Sequence, residues 1–439
     1  KMPDLNIKIL KGRVLQFSKN PFKHNISSSC NIIDKGGVLI VNNKIKDVDL
    51  YSKLKQKHPK TDIYDYGDNL ICPGFIDCHM HYPQTRIIAS YGKRLLDWLN
   101  DYTFPEESKF NDYEYSREVA SLSLDLCLRN GTTTVSSFCT TSYESADIFF
   151  EEGQKRNMCV VAGKTCMDRN APNYLTDTIE SSYEDSKKLI KKWHLKGRGI
   201  YAITPRFAPT STEEQLSVLG KLWSEHPDCL LQTHLSEQQE EIEWVKKLFP
   251  NSKSYLEVYE KYGLVKRNSI FGHAIHLTER EIELLEEKNS SIAHCPTSNT
   301  FIGSGIFNLK KLLKYNINIG LATDTGGGTS FSMLRTISEA YKISQLNHFS
   351  IHPAQLIWLA TVGSSRVLKL ENEIGNIKKN YYADIVIINL KSTIEIKQRA
   401  EQAENIWEEI FPTLIMGDDR AITATWASGD EVYNNKQEL

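Results

Sequence analysis

The chain has 439 residues, enough for a barrel of roughly 250 residues and a smaller module beside it. Its 53 Lys and Arg nearly balance 55 Asp and Glu with no basic block above background, which argues against nucleic-acid or membrane-surface binding and favours a small or neutral ligand. Nine cysteines stand singly from Cys30 to Cys295 without a C-x-x-C pair, so neither a disulfide framework nor a thiolate zinc site is expected, and the chain reads as cytoplasmic with reduced thiols.

The opening stretch, KMPDLNIKIL, lacks the apolar core and small-residue cleavage site of a signal peptide, and no apolar run is long enough to span a bilayer. From Asn6 to about Tyr66, β-rich runs such as IKILKGRVLQF and GGVLIVNNKIKDVD alternate with Gly and Asn-Asn punctuation, predicting several short strands. The other end answers in kind with IGNIKKNYYADIVIINL and AITATWASGDEVY. The two ends are therefore expected to build one small β-sandwich domain, from residues 1–68 and 370–439, around a central unit at 69–369.

In the central unit, strand-like runs alternate with amphipathic helical segments such as Tyr115 to Arg129 and Thr212 to Glu225. Eight such runs are found: LICPGFID, GTTTVSSF, NMCVVAGKT, GIYAITPRF, CLLQTHLSE, SIFGHAIH, SSIAHCPTS and INIGLATDT. Eight βα units close a (β/α)8 TIM-type barrel, an α/β fold whose active site lies at the C-terminal ends of its strands. Chemistry is thus sought at those ends: His79 and His81, Arg206, His234 and Glu237, His273 and His276, His294, and Asp324.

In Asp77-Cys-His79-Met-His81, period-2 alternation puts both imidazoles on one strand face, where they can share a metal ion. Alone, such a pair is as readily an ordinary polar strand end. His234 and Asp324 complete three imidazoles and a carboxylate, a full ligand set for a catalytic zinc with one position open to water. Asp77 shares the strand face and is expected to give a supporting hydrogen bond.

Glu237, three residues past His234, is placed to act as general acid/base; its bland alternative is a first-turn helix residue, a role that Glu240, Glu241 and Glu243 fit better. His273 is assigned to orientation and proton handling, while His276 and His294 are as readily supporting polar groups. The fourth strand ends in Arg206, which cannot ligate, so one metal is expected rather than two, with Lys164 the nearby lysine that would reopen the question. Arg206 and Phe207 read as a clamp for a planar ring, and Gln84 offers an amide for the edge of a nucleobase. Thr-Gly-Gly-Gly-Thr after Asp324 lacks the Gly-Lys-Ser/Thr ending of a phosphate loop and reads as a tight turn.

The strings PGFIDCHMH, THLSE, FGHAIH, HCPTSN and ATDTGGGTSFSML resemble the amidohydrolase superfamily. HYPQ, CMDRNAP with Asp168-Arg169-Asn170, ITPRF and FIGSG narrow the resemblance to its guanine deaminase family, and the likeness runs through EIGNI and GDDRAI near the end of the chain. The resemblance implies hydrolytic deamination of guanine to xanthine and ammonia, acting on a C–N bond of a cyclic amidine. It implies one Zn2+ per subunit on His79, His81, His234 and Asp324, and a homodimer. It further implies guanine held by Gln84, Arg206 and Phe207 within reach of His234, Glu237 and Asp324, with Glu237, His273 and Asp324 as the catalytic groups. Two departures, Cys78 where Thr is common and Asn380 where Gly is usual, lie outside these positions. The alternatives are a related amidohydrolase for another aminated heterocycle, such as an adenosine-type nucleoside, cytosine or a triazine, and a scaffold that has lost its chemistry.

Overall fold

The β-rich runs sort into two sheets, and the first predicted barrel strand is shared between them. In the computed structural model, which describes residues 6–92 and 94–436, LICPGFID is broken at Gly74. Its first half ends a long strand, Asp62–Pro73, of a terminal sheet, and its second half starts the barrel strand Phe75–His81. A Cβ on residue 74 would lie 2.2 Å from Thr133 Oγ1, so only glycine lets the chain pass from one sheet to the other here. Residues 1–5 of the expected segment 1–68, and with them the first half of KMPDLNIKIL, lie outside the described residues, as do residues 437–439 of the expected segment 370–439.

The terminal sheet has seven strands in the order Asp430–Asn434, Ile422–Ala427, Ile385–Ile388, Asp62–Pro73, Ile7–Phe17, Cys30–Val41 and Lys44–Leu50. Both chain ends contribute. The central pair, Ile7–Phe17 and Asp62–Pro73, is parallel, and the other neighbours are antiparallel. Alternation along the strands divides their apolar side chains: Leu10, Val14 and Ile71 join Ile385, Ile387 and Trp426 in one cluster, while Leu15, Phe17, Leu70 and Cys72 pack into the large core shared with the barrel helices. The buried Arg198–Asp384 ion pair, 2.5 Å long, and the Thr425 hydroxyl donating to the Leu128 carbonyl at 2.7 Å tie sheet to barrel. Asn380, standing where glycine was expected, adopts φ 72°, a left-handed conformation that Asn tolerates.

The barrel strands are Phe75–His81, Thr132–Phe138, Cys159–Gly163, Gly199–Pro205, Leu230–Leu235, Ser269–His273, Ser291–His294 and Asn318–Leu321, parallel and in sequential order. Every residue of the second, third, fifth, sixth and seventh strands is buried, as expected where helices cover the sheet. The first strand meets the end of the eighth through backbone bonds, His81 N–H to Thr325 O at 2.7 Å and Asp324 N–H to His79 O at 2.8 Å. The barrel is thereby drawn together at its C-terminal mouth. The covering helices start where local chemistry dictates: Asp112 caps Tyr113–Arg129 and Thr212 caps Glu213–Glu225, each accepting free backbone N–H groups of the first turn.

Candidate metal and substrate site

Four imidazoles converge on one carboxylate. Asp324 Oδ1 lies 3.2 Å from His79 Nε2 and 3.4 Å from His81 Nε2, and Oδ2 lies 3.4 Å from His273 Nε2. His234 Nε2 sits 3.2 Å from His81 Nε2. The first strand does carry its two histidines together, with rings 5.2 Å apart. His79, His234, His273 and Asp324 also form a set whose ligand atoms all lie within 4.8 Å of one another, so the structure draws His273 as far into the cluster as the four residues expected from the sequence.

Outer contacts fix what the inner atoms present. His234 Nδ1 is 2.6 Å from the Arg206 carbonyl, which can only accept; Nδ1 therefore carries the proton and Nε2 turns a lone pair inward. His79 Nε2, His81 Nδ1 and His273 Nε2 are buried without a hydrogen-bond partner. Burial drives the pKa of His79, His81 and His234 downward, keeping them neutral, and although burial also opposes the charge on Asp324, the close approach of His79 and the neighbouring imidazoles holds it ionised. Neutral, inward-facing imidazoles around a carboxylate, left unsatisfied by protein groups, are the donor set of a metal centre.

The scaffold around the cluster is strained and tightly packed. Ser236, His273, Ala274 and Asp324, all at strand ends, have positive φ between 49° and 69°, a conformation that costs non-glycine residues energy and recurs at functional sites. A side chain at Gly272 would come within 2.6 Å of the His79 ring. Asp77 takes the expected supporting place: it accepts from Thr323 Oγ1 at 2.5 Å, from Thr323 N at 3.0 Å and from His79 N at 3.3 Å. Gly328 N–H donates to the Asp324 carbonyl at 2.5 Å, so the glycine run is a tight turn beside the site.

Beside the cluster opens a pocket. His81, Gln84, Arg206, Phe207, His234, Glu237, His273 and Asp324 line it, with Leu95, Trp98, Leu99 and Ile302 supplying apolar walls. Glu237 lies just before the helix Gln239–Leu248, whose N-cap is Gln238, and the Glu241 carboxylate accepts the backbone N–H groups of Glu237 and Gln238 at 2.9 and 3.2 Å. The Glu237 side chain is thus released into the pocket, 3.4 Å from His273 Nε2 and 3.3 Å from the Ser304 hydroxyl. Burial raises its pKa, with Glu241 and Asp324 adding to the rise and His273 opposing it. His273 moves upward as well: burial disfavours its charge, but Glu237 and Asp324 more than offset this, and its Nδ1–H donates to Asn299 Oδ1 at 2.8 Å.

Other residues singled out in the sequence stand further off. His276 bonds the Ser304 carbonyl at 2.7 Å, and His294 stacks on Phe307 with centroids 4.0 Å apart, its pKa pushed down to about 3 by burial. Lys164 pairs with buried Asp177 and donates to the Thr141 carbonyl at 2.8 Å, away from the cluster. Asp168 accepts from Thr212 N and Oγ1 at 2.8 and 2.5 Å, anchoring its loop to the next helix cap. A second group, His194, Asp228 and Cys229, is also close-set. There His194 Nδ1 accepts the Tyr201 N–H, so Nε2 carries the proton that bridges to Asp228 at 2.9 Å, an ordinary hydrogen bond.

Sequence reasoning missed Glu107, Trp98 and Asn299. Glu107 accepts from Arg206 Nη1 at 2.9 and 3.0 Å in an ion pair almost wholly removed from solvent. Its partner lies 99 residues away, and an acidic doublet in FPEESKF carries no periodicity that would point across the barrel mouth.

A model of the amidohydrolase family matches residues 70–432. The chain is 43% identical to guanine deaminase of Escherichia coli (strain K12) over 431 residues, covering 97% of this chain and 98% of that one. It is 33% identical to guanine deaminase of Dictyostelium discoideum, again over 97% and 98% of the two chains. Among solved structures it superposes on E. coli guanine deaminase with a TM-score of 0.95 at 42% identity, covering 98% of this chain and all of that one. A guanine deaminase from C. acetobutylicum with guanine bound in its active site matches with a TM-score of 0.88 at 31% identity, over the same shares.

Proposed function

Because the chain belongs to the amidohydrolase family, and within it to the guanine deaminases, we propose that its barrel mouth hydrolyses guanine to xanthine and ammonia with one zinc ion per subunit. The observation that carries this reading is the convergence of His79, His81, His234, His273 and Asp324 beside a pocket walled by Gln84, Arg206 and Phe207. His79, His81, His234 and Asp324 would hold the ion, since the three imidazoles are the ones burial keeps neutral. His273, whose carboxylate neighbours favour its protonated form, is a donor rather than a ligand. A zinc ion so placed supplies Lewis acidity, lowering the pKa of water toward about 7.

The residues of the chain then divide the work. Phe207 and the apolar walls take the faces of the planar base, and Arg206 and Gln84 engage its polar edge, orienting C2 toward the ligand cluster. Glu237, whose raised pKa suits proton exchange near neutrality, takes a proton from the attacking water and delivers it to a ring nitrogen. The water oxygen bonds to C2, and His273 stabilises the negative charge that develops there, while Asp324 serves as the anionic ligand. The second water proton reaches the exocyclic amine, the C2–N bond breaks, and ammonia leaves. The stoichiometry is one guanine and one water in, one xanthine and one ammonia out.

The cytoplasmic setting belongs to the same proposal, supported by nine unpaired cysteines, eight of them buried, and the homodimer enters it from the sequence resemblance alone. Among the described residues no helix is long and apolar enough to cross a membrane. Incubation with guanine, with ammonia and xanthine as readouts, tests the function: activity that a chelator removes and zinc restores is expected. Preference for cytosine, adenosine or a triazine in the same panel would overturn the substrate. Light scattering tests the dimer.

A further inference from the structure

The Arg206 clamp is accompanied by a carboxylate that the deamination chemistry does not call for. Glu107 ends a short helix, Phe104–Glu107, in the stretch that also supplies Leu95, Trp98 and Leu99 to the pocket, but Glu107 itself is not among the lining residues. It stands behind Arg206: both its oxygens accept from the one nitrogen Nη1, at 2.9 and 3.0 Å, and the two side chains are only 3% and 1% exposed. The Gln84 amide contributes to the same group. Its Oε1 accepts the Gly326 N–H at 3.1 Å, which leaves the NH2 end for the Glu107 carboxylate.

We propose that Glu107 is a positioning residue that neutralises Arg206 and sets the direction of the Gln84 amide, so that the pocket selects a neutral purine over an anionic one. The inference rests on the purine-deaminase reading above. A guanidinium in a dry pocket without a counter-charge favours any anion that fits. Deamination exchanges an electron-donating amine for a carbonyl, which makes the product the stronger N–H acid and ionises it at lower pH than the substrate. An unpaired Arg206 would therefore retain the ionised product, whereas the neutral Arg206–Glu107 pair keeps its donors for a neutral base edge and lets the product go.

Three variants of the zinc-loaded enzyme give the charge argument a sign. Glu107→Gln leaves the cation alone, Arg206→Gln leaves the anion alone, and the double variant carries neither. With Glu107→Gln, KM for guanine should rise about tenfold while kcat stays within roughly threefold. Inhibition by xanthine should tighten relative to the guanine KM, increasingly so as pH rises through xanthine ionisation. Arg206→Gln should show the opposite pH trend, and the double variant should lie between the two. Glu107→Asp, which keeps the charge, should return the xanthine-to-guanine ratio to that of the wild type.

A ratio that is the same in wild type, Glu107→Gln and Arg206→Gln at every pH overturns the proposal, and so does a loss of activity in Glu107→Gln that Glu107→Asp shares in full. Should Glu107→Gln not fold, Arg206→Gln against the double variant still decides, since identical pH profiles would remove any electrostatic role for Glu107. Wild-type ammonia release from guanine is measured first: its absence sinks the substrate reading, whereas its presence with an unmoved ratio sinks the role of Glu107 alone.

Discussion

Two buried charged centres face the same pocket, and they are completed in opposite ways. Around Asp324, imidazole nitrogens at 3.2 to 3.4 Å crowd one carboxylate, yet His79 Nε2 and His273 Nε2 find no hydrogen-bond partner. At Arg206 the guanidinium has its carboxylate, 2.9 Å away, and the pair is closed. Buried polar groups are ordinarily satisfied, so the first centre carries the donor set proposed above for a metal ion, and the second is an ion pair complete within the protein. Removing a residue from the first should cost chemistry, and from the second it should cost binding and stability.

The largest effect is expected at the centre of the first group. Asp324→Asn should lower kcat by on the order of 10³-fold or more, because it removes a ligand and the charge that balances the ion. Metal analysis should show the ion lost; a variant that keeps both zinc and turnover would dissolve the contrast between the centres. Next comes Glu237→Gln, which should reduce kcat by roughly 10²- to 10⁴-fold while zinc and the melting temperature hold. Near-normal turnover would remove Glu237 from proton transfer.

At the second centre, Arg206→Ala should raise KM chiefly, and it also strands the Glu107 carboxylate in the interior at a cost of about 3–5 kcal/mol. A melting curve and steady-state kinetics check both halves, and unchanged values of each would sink the clamp. Gly272→Ala sharpens the first centre from the side. The added methyl, 2.6 Å from the His79 ring, should displace that imidazole, weaken zinc retention and cost about 1–3 kcal/mol. Retained zinc with no loss of stability would show that the ring has room to move.

The smallest effect lies outside both centres and serves as their control. Burial opposes the charge on Glu152, but Lys155, Arg156 and Arg117 hold its pKa down at about 2. A carboxyl whose folded pKa is depressed stabilises the native state above its unfolded value, about 4.5, and that contribution fades as pH falls toward 2. Glu152→Gln should therefore lower the melting temperature at pH 7 and converge with wild type near pH 2, with zinc content and kcat unmoved. A pH-independent difference would mean that packing, not charge, carries Glu152.

Much of the first centre was legible because strand ends in a (β/α)8 barrel share one mouth. Once eight alternating runs are counted, His79, His81, His234, His273 and Asp324 have to meet. The same counting failed at the first strand, where an apolar run cannot show that Gly74 divides it between two sheets; the steric contact with Thr133 does that. It also failed at Glu107, whose place depends on how a stretch without barrel periodicity folds over the pocket.

The sequence by itself determined the architecture and the donor types of the metal centre, since alternation and βα repetition are local patterns with a single packing solution. Only the tertiary structure decided which nitrogen each imidazole turns inward, whether Glu237 caps a helix or enters the pocket, and which anion balances Arg206. Those outcomes rest on contacts between groups remote in the chain, such as the Arg206 carbonyl on His234 and the Glu107 carboxylate on the Arg206 guanidinium, and the geometry of a closed mouth is what brings them within a few ångströms.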